Sequence, residues 1–237
     1  ERHAGPTRRA AVRRGRNTIR NSHWEKPADI LQSCIHSFAL DKWLTQPAYV
    51  EVMVEKQALE GVLEPVCREL DIPFTANKGY SSSSALYACG KRFERKHKDG
   101  KTCHIIYLGD HDPSGIDMTR DVLDRINLFA GCDQADDGGN LYENVAVERV
   151  ALNMSQIKTL RPPKNPAKLT DSRATGYISK FGPSSWELDA IEPSALAKLV
   201  RDAVYSLRDA ELWEDAMKHE EAMKNELREM AKKSKFK

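Results

Sequence analysis

The run His104-Ile105-Ile106-Tyr107-Leu108 passes without a break into Gly109-Asp110-His111-Asp112-Pro113-Ser114-Gly115. A short apolar run of this kind predicts a buried strand, and the periodic stretch from about Ile116 to Phe129 predicts a helix. Two acids therefore stand at a strand exit, where a helix is about to begin. Strand side chains alternate, so Asp110 and Asp112 are expected on one side. Like charges that close repel unless a cation or a proton lies between them. Carboxylate oxygens suit hard cations such as magnesium, with manganese as a substitute.

The rest of the chain repeats this strand-then-helix alternation. Strands are expected at Tyr49–Val54, Pro73–Ala76, 103–108 and Val145–Leu152, and helices at Gln57–Leu70, 82–96 and 116–129. Serines at 81–84 supply caps for the second of these helices. The pattern is that of βαβ units around a parallel sheet. A helix from Pro27 to about Leu44 precedes it, and residues 193–232 read as helical after it. Residues 131–144 read as a polar loop. Residues 161–185, opening Arg161-Pro162-Pro163-Lys164-Asn165-Pro166, read as irregular: either a surface loop or a basic loop over a site, with Lys164, Lys168 and Arg173 as phosphate contacts.

The chain's 237 residues allow one large domain or two small ones. The division expected is a basic segment and helix at 1–48, a catalytic domain at 49–207 and a charged helix and tail at 208–237. Seven arginines fall within residues 1–20 against one acid, Glu1; this block is either a nucleic-acid contact or a solvated tail. No apolar run approaches the roughly 18 residues of a membrane span, and no secretory signal is visible. The five cysteines form no C-x-x-C pair, which fits free thiols in a reducing cytoplasm better than a zinc site. The sequence opens without a methionine, so an upstream portion is expected to be missing or processed.

In open parallel sheets, sites lie at the carboxyl ends of the strands. Glu55 ends the first strand as Asp110 and Asp112 end the third, so three carboxylates converge if those strands are neighbours. Structural alternatives stand beside this reading. Glu55 would cap the next helix, and the aspartates would form a turn with one as helix cap. His111 is expected to pack or hydrogen-bond, with a proton shuttle as the alternative. Lys56 is either a phosphate contact or a surface lysine, and Lys78 is the better phosphate contact. Asp117, Asp121 and Asp124 share a solvated helix face, and the four tryptophans are expected in a core or interface.

Val54-Glu55-Lys56, then Lys78-Gly79-Tyr80, then Gly109-Asp110-His111-Asp112-Pro113-Ser114-Gly115-Ile116, then Trp186-Glu187-Leu188-Asp189-Ala190-Ile191 follow one another in the chain. This ordered set resembles the Toprim domain, in the branch of the topoisomerase VI A subunit and the meiotic double-strand-break transesterase. The resemblance covers roughly residues 49–207, and the chain is also similar to phage and prophage proteins with this variant. It implies an α/β Rossmann-like sheet of about four parallel strands flanked by helices, with helical extensions at both ends. It further implies magnesium on Asp110 and Asp112, and Glu55 as ligand or general acid/base. Glu187 would hold a second ion or act as a helix cap. DNA is the implied partner, contacted through Lys56, Lys78, Lys164, Lys168 and Arg173. A homodimer, or a partner supplying a missing catalytic or ATPase function, is compatible with it.

The family turn usually continues with Pro-Asp, but here four serines follow Tyr80. The family's nucleophilic tyrosine lies upstream, yet residues 1–48 contain none and Tyr49 starts a strand. The expectation is therefore magnesium-dependent DNA phosphodiester cleavage, as a hydrolytic nuclease or a topoisomerase VI A-like protein. The alternatives are a non-catalytic metal-holding DNA-binding module and a small-molecule phosphotransfer enzyme using the Asp-x-Asp pair alone.

Overall fold

The computed structural model describes residues 23–132 and 143–233. The basic block at 1–20, most of the expected loop at 131–144 and the last four residues lie outside the described residues. In chain order the elements begin with helix α1 (Pro27–Ser37), strand β1 (Ala48–Val54), helix α2 (Glu60–Glu69) and strand β2 (Phe74–Ala76). Next come α3 (Ser83–Lys98), β3 (Thr102–Leu108), α4 (Pro113–Ala130), β4 (Ala146–Ala151) and α5 (Met154–Leu160). The last are β5 (Asn165–Pro166), α6 (Ala174–Phe181), β6 (Ser184–Ser185), α7 (Pro193–Leu207) and α8 (Ala210–Lys233). They form two compact units, one of Trp43–Ala210 and one drawn from the chain's two ends, up to Lys42 and from Glu211 onward.

The larger unit is α/β and Rossmann-like: β2, β1, β3 and β4 stand side by side in that order, all parallel. β1 and β3 are central and largely buried on both faces by mostly apolar residues, as a sheet covered on two sides requires; Glu51, buried in β1, is paired with Arg92 of α3. Met53, Ile105 and Tyr107 join Leu86 and Phe93 of α3 and Met118, Val122 and Ile126 of α4 in one buried cluster. On the other face α2 packs against α7, which lies on β1, β3 and β4. Local signals set the helix ends. Ser82 caps α3, its hydroxyl accepting from the Ala85 N–H at 3.2 Å. Arg95, Lys96 and Lys98 close that helix, where the helix dipole favours cations. α4 stops at Gly131, whose φ of 73° ends the helix in the left-handed region.

Three expectations change. α1 ends at Ser37 rather than near Leu44, because Phe38 turns extended and the Leu40 N–H donates to Glu220 within the terminal unit. Residues 161–185 are not irregular throughout. They hold α6 and the antiparallel β5–β6 pair, and Ala174, Tyr177, Ile178 and Phe181 supply a helical stripe among the polar residues. The helical stretch after 193 is two helices. Its break is tied by Gln46, whose amide donates to the Asp209 carbonyl and accepts the Asp209 N–H. Trp43 is buried and donates to the Leu70 carbonyl at 2.9 Å, whereas Trp24 is exposed.

Candidate functional site

Parallel pairing of β1 with β3 sets Val54 beside Leu108, so the residues that follow them emerge together at the carboxyl edge. Glu55 reaches across this gap, and its Oε2 accepts the Asp110 N–H at 2.9 Å. Two glycines make room for that carboxylate. A Cβ on Gly109 would lie 2.8 Å from Glu55 Oε2, and one on Gly115 would lie 3.1 Å from it. The glycines on either side of the aspartates are thus needed for close approach, which the sequence did not disclose.

The strand ends at Leu108, so strict alternation does not extend through Asp110 and Asp112, and the two acids take different partners. Asp110 is buried; its Oδ1 accepts the Leu188 N–H at 2.7 Å and its Oδ2 lies 3.1 Å from Lys56 Nζ. Asp112 caps α4, its Oδ1 accepting the Gly115 N–H at 2.6 Å and the Ser114 hydroxyl at 3.0 Å. The Lys56 ammonium also lies 3.0 Å from Glu187 Oε2 and 3.0 Å from Asp189 Oδ1. Glu187 is exposed and also accepts from Asn165, so its side chain is not a buried cap.

Burial, reinforced by the charges of Asp110 and Asp112, pushes the Glu55 carboxyl up to about 7, against the opposing Asp110 N–H and Arg149. Asp110 is also raised by burial, opposed by the Leu188 N–H and Lys56. Arg149 of β4 lies beneath the turn. Its guanidinium donates to the Gly109 carbonyl at 2.8 Å, the Gly115 carbonyl at 3.0 Å, the Thr119 hydroxyl at 2.6 Å and the Asp110 carbonyl. Asp189 and Arg149 were not singled out from the sequence. A charged residue late in a strand expected to be buried was the available signal for Arg149.

His111 is buried among the rings of Tyr177, Phe181 and Trp186. Its backbone exchanges two hydrogen bonds with Trp186, and its Nδ1 pairs with the Tyr177 hydroxyl at 2.8 Å. Burial, helped by Arg149, lowers its pKa to about 4. It is a packed residue that fastens the 161–187 excursion to the acidic turn. Arg173 fastens it a second time, donating to Asp171, Asp117 and Tyr80, so its guanidinium already faces two carboxylates. Lys164 and Lys168 are exposed on that excursion. Lys78 is exposed, its backbone bridged to Lys56.

The donor set at this edge consists of carboxylates, the chemistry a hard divalent ion requires. Glu55 and Asp110 would hold such an ion, with Asp112 beside them. Among the described residues no three acids, imidazoles or thiols already stand as a metal cage; the central cation is the Lys56 ammonium. Comparison with family models finds no match, and comparison with curated proteins finds none.

Proposed function

We propose that the chain is a Toprim-like, magnesium-dependent enzyme that cleaves DNA phosphodiesters, acting as a nuclease. The observation that carries this reading is the Glu55 carboxylate meeting the Asp110 backbone N–H across adjacent central strands, beside the Asp110 carboxylate whose charge it feels, at the carboxyl edge where open sheets place their sites. The ordered motifs add to it, since Lys56, Lys78 and the Glu187 segment gather at the same edge. A bound magnesium would stabilise negative charge on the phosphate oxygens.

Glu55 is suited to proton transfer at the attacking or leaving oxygen, because its pKa near 7 lets it hold or release a proton at neutral pH. Lys56 and Lys78 supply cations for the phosphate chain. A tyrosyl mechanism lacks support from Tyr49. Its hydroxyl donates to Glu51 at 2.8 Å, and it stands six residues before Glu55, about 20 Å away at ~3.3 Å per strand residue. Five free cysteines among the described residues suit a reducing, cytoplasmic setting. Among the described residues no helix is long and apolar enough to cross a membrane.

The test is supercoiled plasmid incubated with the protein and magnesium or manganese, alongside Glu55→Gln and Asp110→Asn. Metal-dependent nicking lost in both variants is the expected result. DNA binding without cleavage would replace this reading with the metal-holding module. Protein covalently joined to DNA ends would replace hydrolysis with transesterification.

A further inference from the structure

The Lys56 ammonium is engaged on three sides by carboxylates from two parts of the chain: Asp110 after β3 at 3.1 Å, and Glu187 and Asp189 at 3.0 Å each. An ammonium has three N–H donors and no acceptor, so three oxygens at these distances use its full capacity. Resting on the cation-dependent reading above, we infer that Lys56 is the resident counter-cation of the site. A divalent ion enters by displacing it, and the freed ammonium is then available to a phosphate.

The geometry of Asp110 carries the argument. One of its oxygens holds the Leu188 N–H and the other faces Lys56. A divalent ion bound at Asp110 would therefore join oxygens that already hold a partner, and on Oδ2 that partner is the Lys56 ammonium. An ammonium and a divalent ion repel each other on one small site, whereas exchange leaves a single cation among the carboxylates that now surround Lys56. Lys56 is tethered beside the site by its backbone, next to Glu55 and bridged to Lys78. Its release is thus a side-chain rotation that leaves the sheet intact. While it is bound by three acids it is not available to phosphate; once displaced, it stands at the same edge as the substrate.

The experiment uses manganese itself as the probe. Free Mn2+ is titrated by electron paramagnetic resonance against the full chain, Lys56→Met, Glu55→Gln and, as a control, Lys198→Met, an exposed lysine of α7 paired with Asp202. Removing the competing ammonium is expected to tighten Mn2+ binding about tenfold in Lys56→Met, equivalent to about 1.4 kcal/mol. Lys198→Met is expected to leave binding unchanged, and Glu55→Gln to weaken it. Should Lys56→Met fold poorly, wild-type protein gives an independent reading. Acetylation of Lys56 by an activated ester, followed by mass spectrometry, is expected to speed up several-fold when magnesium is added. Wild-type binding with no tightening in Lys56→Met, or equal Lys56 acetylation with and without magnesium, overturns the exchange and leaves the metal reading standing. No Mn2+ binding by wild type or by Lys56→Met overturns both.

Discussion

Gly115 and Gly176 offer the same substitution in two helices with opposite expected signs. Both sit inside helical segments, α4 and α6, where alanine is favoured over glycine by about 1 kcal/mol on intrinsic propensity. At Gly176 a Cβ meets nothing within 4 Å, so Gly176→Ala is expected to stabilise by ~0.5–1 kcal/mol. At Gly115 the same Cβ runs into the Asp110 carbonyl, with the carbon 3.0 Å away, and into Glu55 Oε2 at 3.1 Å. Neither neighbour is a free side-chain end. The Asp110 carbonyl belongs to a turn held by Arg149, and the Glu55 carboxylate is held by the Asp110 N–H.

Overpacking of this kind costs ~1–3 kcal/mol and occasionally more. It exceeds the propensity gain, which is below the interior value at both glycines because each is the third residue of its helix. Gly115→Ala is therefore expected to destabilise by ~1–2 kcal/mol net. With a urea m-value of about 2 kcal/mol/M, the midpoint falls by ~0.5–1 M for Gly115→Ala and rises by ~0.3–0.5 M for Gly176→Ala. Urea denaturation followed by far-ultraviolet circular dichroism reads both. A Gly115→Ala midpoint at or above that of wild type would refute the close packing of turn, glycine and Glu55 on which the site rests.

Two further outcomes follow from the same packing. The folded Glu55 carboxyl keeps its proton up to about 7 against an ordinary 4.5, so the folded state binds more protons between those values and stability falls as pH rises through them. The shift corresponds to about 3 kcal/mol, and Glu55→Gln, which cannot ionise, is expected to lose this decline; urea midpoints at pH 5 and pH 8 that run parallel for the two proteins would contradict it. Arg149→Met removes the guanidinium from three turn carbonyls, of which Gly109 keeps the Leu152 N–H and Gly115 the Thr119 hydroxyl, an expected cost of ~2–3 kcal/mol and a melting point lower by ~4–12 °C. Arg149→Lys recovers only part, because one ammonium does not reproduce a forked guanidinium. Melting of Arg149→Met within about 2 °C of wild type, under ~1 kcal/mol for a chain of this size, would deny Arg149 its role under the turn.

The sheet was legible because its signals are local. Apolar runs of six or seven residues alternate with amphipathic stretches, and β1, β3, α3 and α4 fall within a residue or two of expectation, apart from an earlier start for α4. α6 was not legible: its stripe of Ala174, Tyr177, Ile178 and Phe181 is short and sits among prolines, lysines and glycines, and it is stabilised by His111 from far along the chain. The pairing of Glu55 with Asp110 was conditional on strand order, a property that no local pattern contains. The separate partners of Asp110 and Asp112 escaped because the alternation rule was carried past Leu108, where the strand stops and Pro113 begins a helix.

Stability alone does not account for a carboxyl at position 55. The bond it makes there, accepting the Asp110 N–H, would be accepted equally well by the amide oxygen of a glutamine. A glutamine would not have to be buried against two aspartates, and would not carry the pH-dependent cost that raises the Glu55 pKa. Gly109 and Gly115 both leave space for that carboxylate, at the expense of helix propensity in the second case. Arg149 places a buried cation behind it, with Nε left without a partner. Lys56 places another cation in front of Asp110. The buried carboxylate, the two glycines and the buried guanidinium each cost folding free energy, and Lys56 offsets part of the burial of Asp110. Gathering such strain at one edge of an otherwise regular sheet is characteristic of sites where charge serves chemistry rather than packing.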